Sequence, residues 1–389
     1  MNVDIAIVGA GPAGLCFARS LAGSGLSVAV VEKQPLPAIS GPAFDGREIA
    51  LTHASRDILG RLGLWSRFDP AEVSDLRDAK IIDGDTEDGL LVSAADGRSG
   101  QLGWLVPNHL IRRAAYDLVS TQVDVELLPG RGVRGVVREG DGVVLSLDGD
   151  ERLRARLLIA ADSRFSQVRR MLGIGARSYD HGKRMLVARV AHERAHHHVA
   201  WEWFDYGQTL ALLPLAGDRS SVVLTLSPQE MAKVEALDDA AFAADMQRRF
   251  RDRLGAMTTI GTRHVYPLVS VYADRFTASR AALVGDAAVG MHPVTAHGFN
   301  LGLQGQAKLA EAVLQAHRDG RDIGADAVLA QYQRRHHAAA WPMYAATRLV
   351  VRVFTDDRRA ARGLRGAILR VSNRLPPFRR AIAARLTQA

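Results

Sequence analysis

The chain has 389 residues, 47% hydrophobic and 24% charged, which suits two interlocked domains with a large core and excludes a disordered polymer. Its single cysteine excludes a disulfide framework and a cysteine-based zinc site. The net charge of +8 is lopsided: from Arg334 to Ala389 there are 13 Arg against only Asp356 and Asp357, so the remainder is slightly acidic.

Asn2 to Val8 reads as a short buried strand, Pro12 to Ser24 as a helix and Ser27 to Glu32 as a second strand, together a βαβ unit. Pro12 to Val31 is the most apolar stretch, but Arg19, Ser24 and three glycines argue against a spanning helix. With no basic region before the first strand, no signal peptide is expected, and the expected location is the cytoplasm. Arg56 to Leu64 and Pro107 to Ser120 read as helices. Val123 to Ile159 reads as strands with glycine turns, and Ser166 to Leu172 as a short helix. Arg184 to Leu226 alternates apolar and polar residues in short runs, the pattern of an antiparallel sheet with one wet face. Ala240 to Leu254 reads as a helix, Ala281 to Val284 as a buried strand and Asn300 to Arg318 as a long helix. After Asp326 helices are expected, broken at Pro342, Gly363 and Pro376-Pro377.

Gly9-Ala10-Gly11-Pro12-Ala13-Gly14 joins the first strand to the first helix. Dinucleotide binding needs this layout. The first glycine makes the tight turn, the second lets a pyrophosphate approach the backbone, and the third lets helix and strand pack closely. Glu32, followed by Lys33, ends the next strand, where a carboxylate accepts from a ribose hydroxyl. Gly130 to Gly135 fits the same spacing but runs into a strand, so it reads as a connection. The first motif alone leaves NAD and FAD both open.

Two later segments decide between them. Leu157 to Asp162 is a strand ending in Asp, followed by Ser163, and Leu283-Val284-Gly285-Asp286 leads to His292-Pro293 and Gly298-Phe299-Asn300. With these three motifs in order, Asn2 to about Tyr332 resembles the class A flavoprotein aromatic monooxygenases. The resemblance implies a Rossmann-type FAD-binding domain with an interleaved antiparallel-sheet substrate domain and a helical C-terminal region. It implies non-covalent FAD, with Gly9, Gly11, Pro12, Ala13 and Gly14 at the pyrophosphate and Glu32 and Lys33 at the adenosine ribose. It further implies that Asp286 accepts from the ribityl chain, that Asp162 and Gly285 bind the cofactor, and that Pro293 lies beside the flavin ring. The backbone at Gly298, Phe299 and Asn300 would donate to the flavin O2/N1 edge, and Arg47, Asn108 and Arg112 would contact the cofactor. The expected division is 1–75, 107–180 and 273–335 for FAD binding, 76–106 and 181–272 for the substrate domain, and 336–389 for a basic helical region.

A narrower resemblance lies in Phe44-Asp45-Gly46-Arg47-Glu48-Ile49-Ala50-Leu51, in Leu62 to Trp65 and in His292 to Gly305, which are similar to the ubiquinone-biosynthesis hydroxylases. It implies ring hydroxylation of a polyprenylated phenol or quinol through a C4a-hydroperoxyflavin, with O2 as co-substrate and NADH or NADPH as reductant. Three departures suggest a distinct, UbiM-like branch. Asp162-Ser163 replaces Asp-Gly, Ala296-His297 replaces Gly-Gln, and Gln304-Gly305 replaces Arg-Asp. His297 and His292 become the candidates for proton transfer, with ring packing as the alternative. The rival functions are a hydroxylase of small tail-free phenols, a geranylgeranyl-reductase-like flavoenzyme and a non-catalytic FAD-binding scaffold.

Other features carry blander readings. Trp201-Glu202-Trp203 is similar to the W-x-W of flavin halogenases but continues Phe204-Asp205, and reads as a core or substrate wall. His192, His196, His197 and His198 lack a metal-ligand helix and read as a surface turn, and His336-His337 likewise, so no metal is expected. Cys16 reads as a buried structural thiol. Arg348, Arg352, Arg358, Arg359, Arg362, Arg365 and Arg370 interleave with apolar residues at helical spacing. The expected partners of this stripe are the inner face of a membrane, contacted peripherally, or other quinone-biosynthesis proteins, and no nucleic acid is expected.

Overall fold

In the computed structural model, described for residues 1–84, 89–96 and 100–354 and for positions 358, 365 and 372, two large sheets carry the chain. The first runs in the order Ala281–Leu283, Arg152–Ala160, Asn2–Val8, Val28–Glu32, Val125–Pro129, all parallel. Its central strands are buried on both faces, which explains their unbroken apolar runs, such as Val28 to Val31 and Leu157 to Ala160. Helix Pro12–Ser20 packs between this sheet and helix Gly298–Arg318. It ends earlier than the sequence predicts because Gly23 and Gly25 take positive φ. Cys16 lies on its buried face, and burial pushes its thiol up to about 12.

The second sheet is mostly antiparallel, in the order Val289–Gly290, Met257–Ala273, Ala176–His192, Arg219–Leu226, Gln208–Pro214, Val199–Asp205, Asp78–Asp83, Leu90–Ser93. Its side chains alternate between two environments. Leu186, Trp203, Leu212, Val222 and Leu224 pack against helices Pro228–Glu235 and Asp239–Arg249 through Met231, Phe242, Met246 and Phe250. The residues between them, such as Met185, Glu202, Ala211 and Val223, face the other way and line a large cavity. The doubly wound nucleotide sheet and the interleaved antiparallel sheet are the architecture the sequence implies. The glycine-spaced segment from Gly130 leads into strand Val133–Glu139 of a hairpin, as its context indicates.

Several expectations need correction. Helix Asp326–Phe354 runs unbroken through Pro342. The proline removes one backbone hydrogen bond, but buried Tyr332, His336, Ala340, Tyr344 and Thr347 anchor the helix on both sides. His192 and His196 are not a surface turn: both are buried, with Nε2 atoms 2.9 Å from Ser220 Oγ and 2.8 Å from the Leu215 carbonyl. His336 is also buried, and burial pushes its imidazole down to about 3. A Cβ at Gly305 would lie 2.6 Å from the His336 ring. Gly305 therefore makes room for an imidazole delivered by helix Asp326–Phe354.

Arg365 does not belong to an exposed basic stripe. It is fully buried, with its Nε 3.1 Å from an Asp83 carboxylate oxygen and its Nη1 donating to the Phe354 carbonyl at 2.6 Å. Arg359, Arg362 and Arg370 lie outside the described residues, as do the expected breaks at Gly363 and Pro376-Pro377.

Candidate functional site

The loop after the first strand is shaped by its glycines. Gly9 has φ +111°, and a Cβ there would meet the Ala161 carbonyl oxygen at 2.4 Å. A Cβ at Gly14 would lie 2.0 Å from the Gly9 carbonyl oxygen. At Gly11 a Cβ would meet nothing within 4 Å, because this residue faces a cavity. The cavity has a volume of about 1450 Å³. That exceeds the roughly 300–1,000 Å³ typical of a site for one ligand, so it has room for a cofactor and a second molecule.

Pro12 and Ala13 continue the cavity wall at the helix start, whose first-turn N–H groups suit a pyrophosphate. Glu32 and Lys33 line it from the second strand. The Glu32 carboxylate accepts from Ala10 N at 2.8 Å and Gln34 N at 2.9 Å, so it is fixed beside the phosphate loop.

Arg47, Asn108 and Arg112 line the same cavity, and the first two converge on Asp45. Asp45 accepts from Arg47 Nη2 at 2.5 Å and Asn108 Nδ2 at 2.8 Å, and its carbonyl accepts from Tyr266 at 2.7 Å. Burial alone would raise the Asp45 carboxyl. The Arg47 and Asn108 bonds outweigh it and hold the group below the ordinary range. Arg112 donates to the Ala38 carbonyl at 3.3 Å.

The middle and late motifs meet directly. The Asp162 carboxylate caps the short helix Gln167–Met171, accepting from Ser166 Oγ at 2.6 Å and Gln167 N at 2.8 Å. Arg164 donates to Asp286 Oδ2 at 2.7 and 3.1 Å and to the Val269 carbonyl at 2.9 Å. Arg169 donates to the carbonyls of Arg164 and Ala287 at 3.2 and 2.9 Å. Gly285 has φ +60° and sits against Ala13, whose Cβ would be 2.8 Å from a side chain there. Asp286, Asp162 and Gly285 all line the cavity.

Helix Gly298–Arg318 begins at the cavity, with Pro293, Gly298 and Phe299 in its wall. The first-turn N–H groups and the dipole there favour negative charge. The Asn300 side chain serves the protein instead: it donates to Ala50 O and Ala296 O at 2.8 and 3.0 Å and accepts from Thr52 N at 3.1 Å. Ala296 holds φ +55°, a left-handed conformation that glycine adopts with less strain.

The two histidines part company. His292 lines the cavity, 4.6 Å from the His181 ring between centroids, and its Nδ1 accepts from Val294 N at 3.2 Å. Burial, with His181 and Arg164 nearby, pushes His292 down to about 3, so at neutral pH it is an uncharged ring with the proton on Nε2. It therefore offers a hydrogen bond but no readily lost proton. His297 is buried, and the cavity wall passes from Ala296 to Gly298 without it. Its chain neighbours on both sides line the cavity, and its ring does not.

Two further walls close the cavity. The antiparallel sheet contributes Glu202, Phe204, Ala211, Leu213 and Val223, and helix Asp326–Phe354 contributes Tyr344, Arg348 and Arg352. The sequence signal for the first was the alternation around Trp201 and Trp203, whose intervening residue had to face the opposite side.

The fold and cavity define a flavin-binding oxidoreductase scaffold, and comparison with known proteins bears on the rest. The model of the FAD binding domain family matches residues 2–347. The chain is 44% identical to the ubiquinone hydroxylase UbiM of Neisseria meningitidis, covering 100% of this chain and 85% of that protein. It is 37% identical to the ubiquinone hydroxylase UbiL of Rhodospirillum rubrum, covering 91% and 82%. Its fold is similar to that of p-nitrophenol 4-monooxygenase PnpA from Pseudomonas putida, with TM-score 0.80 and 20% identity, covering 99% and 98%. The chain belongs to the FAD binding domain family of flavoprotein monooxygenases, and within it to the ubiquinone hydroxylases of the UbiM type. It is an FAD-dependent hydroxylase. The glycine-lined cradle at Gly11 and the two helix N-termini fit that cofactor.

Proposed function

We propose that this enzyme hydroxylates the ring of a polyprenylated phenol in ubiquinone biosynthesis, using O2 and NADH or NADPH. The observation that carries the reading is the single cavity that joins the phosphate loop to an apolar sheet wall, with volume for cofactor and substrate together. The relatives named as ubiquinone hydroxylases support the substrate class.

FAD, when bound, supplies the oxygen chemistry after reduction by the nicotinamide. In this reading Gly11, Pro12 and Ala13 receive its pyrophosphate, and Glu32 with Lys33 its adenosine ribose. Asp286, held by Arg164, accepts from the ribityl chain, with Asp162 and Gly285 shaping the loops around it. The N-terminus of helix Gly298–Arg318 stabilises negative charge on the reduced ring edge. Arg47, Asn108 and Arg112 wall the cofactor's other side. Neutral His292 donates a hydrogen bond and carries no catalytic proton. Ala211, Leu213 and Val223 exclude water from the reacting ring. In this reading 1–75, 107–180 and 273–335 serve FAD binding and 76–106 and 181–272 the substrate, while helix Asp326–Phe354 runs across position 336, so the basic region from 336 onward is continuous with the cofactor domain.

No helix among the described residues is long and apolar enough to cross a membrane. A cytoplasmic enzyme that touches an anionic leaflet through its C-terminal arginines, or meets other quinone-biosynthesis proteins there, reconciles this with a lipophilic substrate. Salt-sensitive cosedimentation with anionic vesicles checks the membrane contact.

The decisive assay supplies FAD-loaded protein with a polyprenylphenol in detergent, NADH or NADPH, and air. The expected product carries one added ring oxygen by mass spectrometry. Turnover restricted to tail-free phenols, or continued without oxygen, overturns the assignment.

A further inference from the structure

Glu202 is the residue between the two tryptophans of strand Val199–Asp205. Trp203 is fully buried on the helix-covered face, and Trp201 packs on that same face near Phe250. The pleat then sends Glu202 to the opposite face, into the wall of the large cavity. Its antiparallel partner is Ala211, whose own neighbour on the next strand is Val223. Phe204 and Leu213 flank this pair on the same face, with the hydroxyls of Thr209, Ser221 and Thr225 farther along it. The carboxyl thus stands on an apolar wall, opposite one of the smallest side chains available, with open volume in front of it.

Among the described residues the Glu202 side chain makes no hydrogen bond and no ion pair. Glu202 is half-buried at the cavity surface, so its carboxyl is left to be satisfied by whatever occupies the cavity. Burial alone pushes it up to about 8, with no charged neighbour contributing, so at neutral pH it is chiefly the uncharged acid. A neutral carboxyl both donates and accepts a hydrogen bond. It suits a neutral hydroxylated ring: flat, apolar on its faces and polar at one edge.

We propose that the Glu202 carboxyl is the polar anchor for an oxygen substituent on the substrate's ring, and that this contact orients the ring in the cavity. The proposal rests on the phenol assignment made above. The apolar neighbours hold the ring faces, and the single carboxyl fixes which edge points at the sheet. Glu202 is a substrate-positioning residue that supplies neither the oxidant nor the cofactor's binding energy.

The test uses oxidised, FAD-loaded enzyme and two probes, ortho-prenylphenol and prenylbenzene, which differ only in the ring hydroxyl. Binding is read from the flavin absorbance change. Wild type is expected to prefer the phenol about tenfold, the value of one net hydrogen bond. Glu202→Leu should erase that preference with FAD affinity unchanged. Glu202→Gln, which still donates and accepts, should keep most of it. In turnover, Glu202→Leu should release more hydrogen peroxide per nicotinamide oxidised, because the ring is no longer held in register. The proposal is overturned if wild type does not discriminate the probes, if Glu202→Leu discriminates as well as wild type, or if Glu202→Leu loses FAD instead. A Glu202-dependent preference without any hydroxylated product would sustain the anchor and overturn the assigned reaction.

Discussion

Arg164 grips Asp286: two guanidinium nitrogens lie 2.7 and 3.1 Å from one carboxylate oxygen, joining the loop after strand Arg152–Ala160 to the loop after strand Ala281–Leu283. The same arginine reaches the Val269 carbonyl on the long strand of the second sheet. One side chain therefore ties the two cofactor-facing loops to the substrate sheet. Arg164→Met should weaken FAD binding about tenfold, within the range for charge-assisted hydrogen bonds at a half-exposed pair. Asp286→Ala should cost at least as much, since it removes the ligand-facing carboxylate as well. FAD dissociation constants from fluorescence titration check both, and unchanged values for the pair remove this loop from the cofactor site.

The three glycines of the phosphate loop should fail in different ways. Gly9→Ala and Gly14→Ala place a Cβ against backbone oxygens at 2.4 and 2.0 Å, so both should destabilise the fold itself. Gly11→Val meets no protein atom close by and should fold, yet emerge colourless because the branched side chain fills the cradle. Thermal melting beside the flavin absorbance distinguishes the two classes. A yellow Gly11→Val protein contradicts the assignment.

His292 should leave no limb in the pH–rate profile between about pH 5 and 8, because its imidazole titrates near 3. The sign for stability follows from the same shift. Below its ordinary 6.5 the unfolded chain takes up a proton that the folded ring refuses, so stability is lost as pH falls from there toward 3. His292→Gln should remove this loss. His297→Gln should leave the pH–rate profile unchanged, since that ring does not line the cavity. A shifted profile would return His297 to the chemistry.

Glu202 gives the opposite slope. Between its ordinary 4.5 and about 8, the folded protein keeps a proton that the unfolded chain has released. Stability should therefore decline as pH rises through that window and level off above it. Glu202→Gln should melt with a flatter pH dependence, and the difference between the two melting curves across the window isolates this group.

Arg365→Gln should leave the buried Asp83 carboxylate without its ion pair and destabilise the protein by about 3 kcal/mol. Asp83→Asn combined with Arg365→Gln should recover most of the loss. Chemical denaturation of the four species measures the coupling, and additive losses would mean that the pair is not coupled.

Much of this protein was legible because local rules are strict where backbone must approach a phosphate. The spacing of Gly9, Gly11 and Gly14, the acid ending the second strand and the ordered later motifs around Asp162 and Asp286 each follow from chain geometry over a few residues. Alternation around Trp201 and Trp203 likewise showed a strand with two faces. The sequence could not say which face was which, because that depends on the helices Pro228–Glu235 and Asp239–Arg249 arriving from later in the chain to cover Trp203. Only their packing turned Glu202 into an unpartnered acid in a cavity. The histidines teach the same lesson. His292 and His297 are five residues apart, yet the first, before the turn Pro293–Thr295, lines the cavity, and the second, before helix Gly298–Arg318, is buried with a ring that does not line it. Gly305 replaces a carboxylate in sequence, but helix Asp326–Phe354 sets the His336 ring where a Cβ at that position would stand, 2.6 Å away. Sequence determined the elements and the cofactor loop, whose forces act between near neighbours. The substrate wall, the charge state of its acid and the partner of Arg164 were decided by contacts between residues tens to hundreds of positions apart, set only when the sheets and helices close on one another.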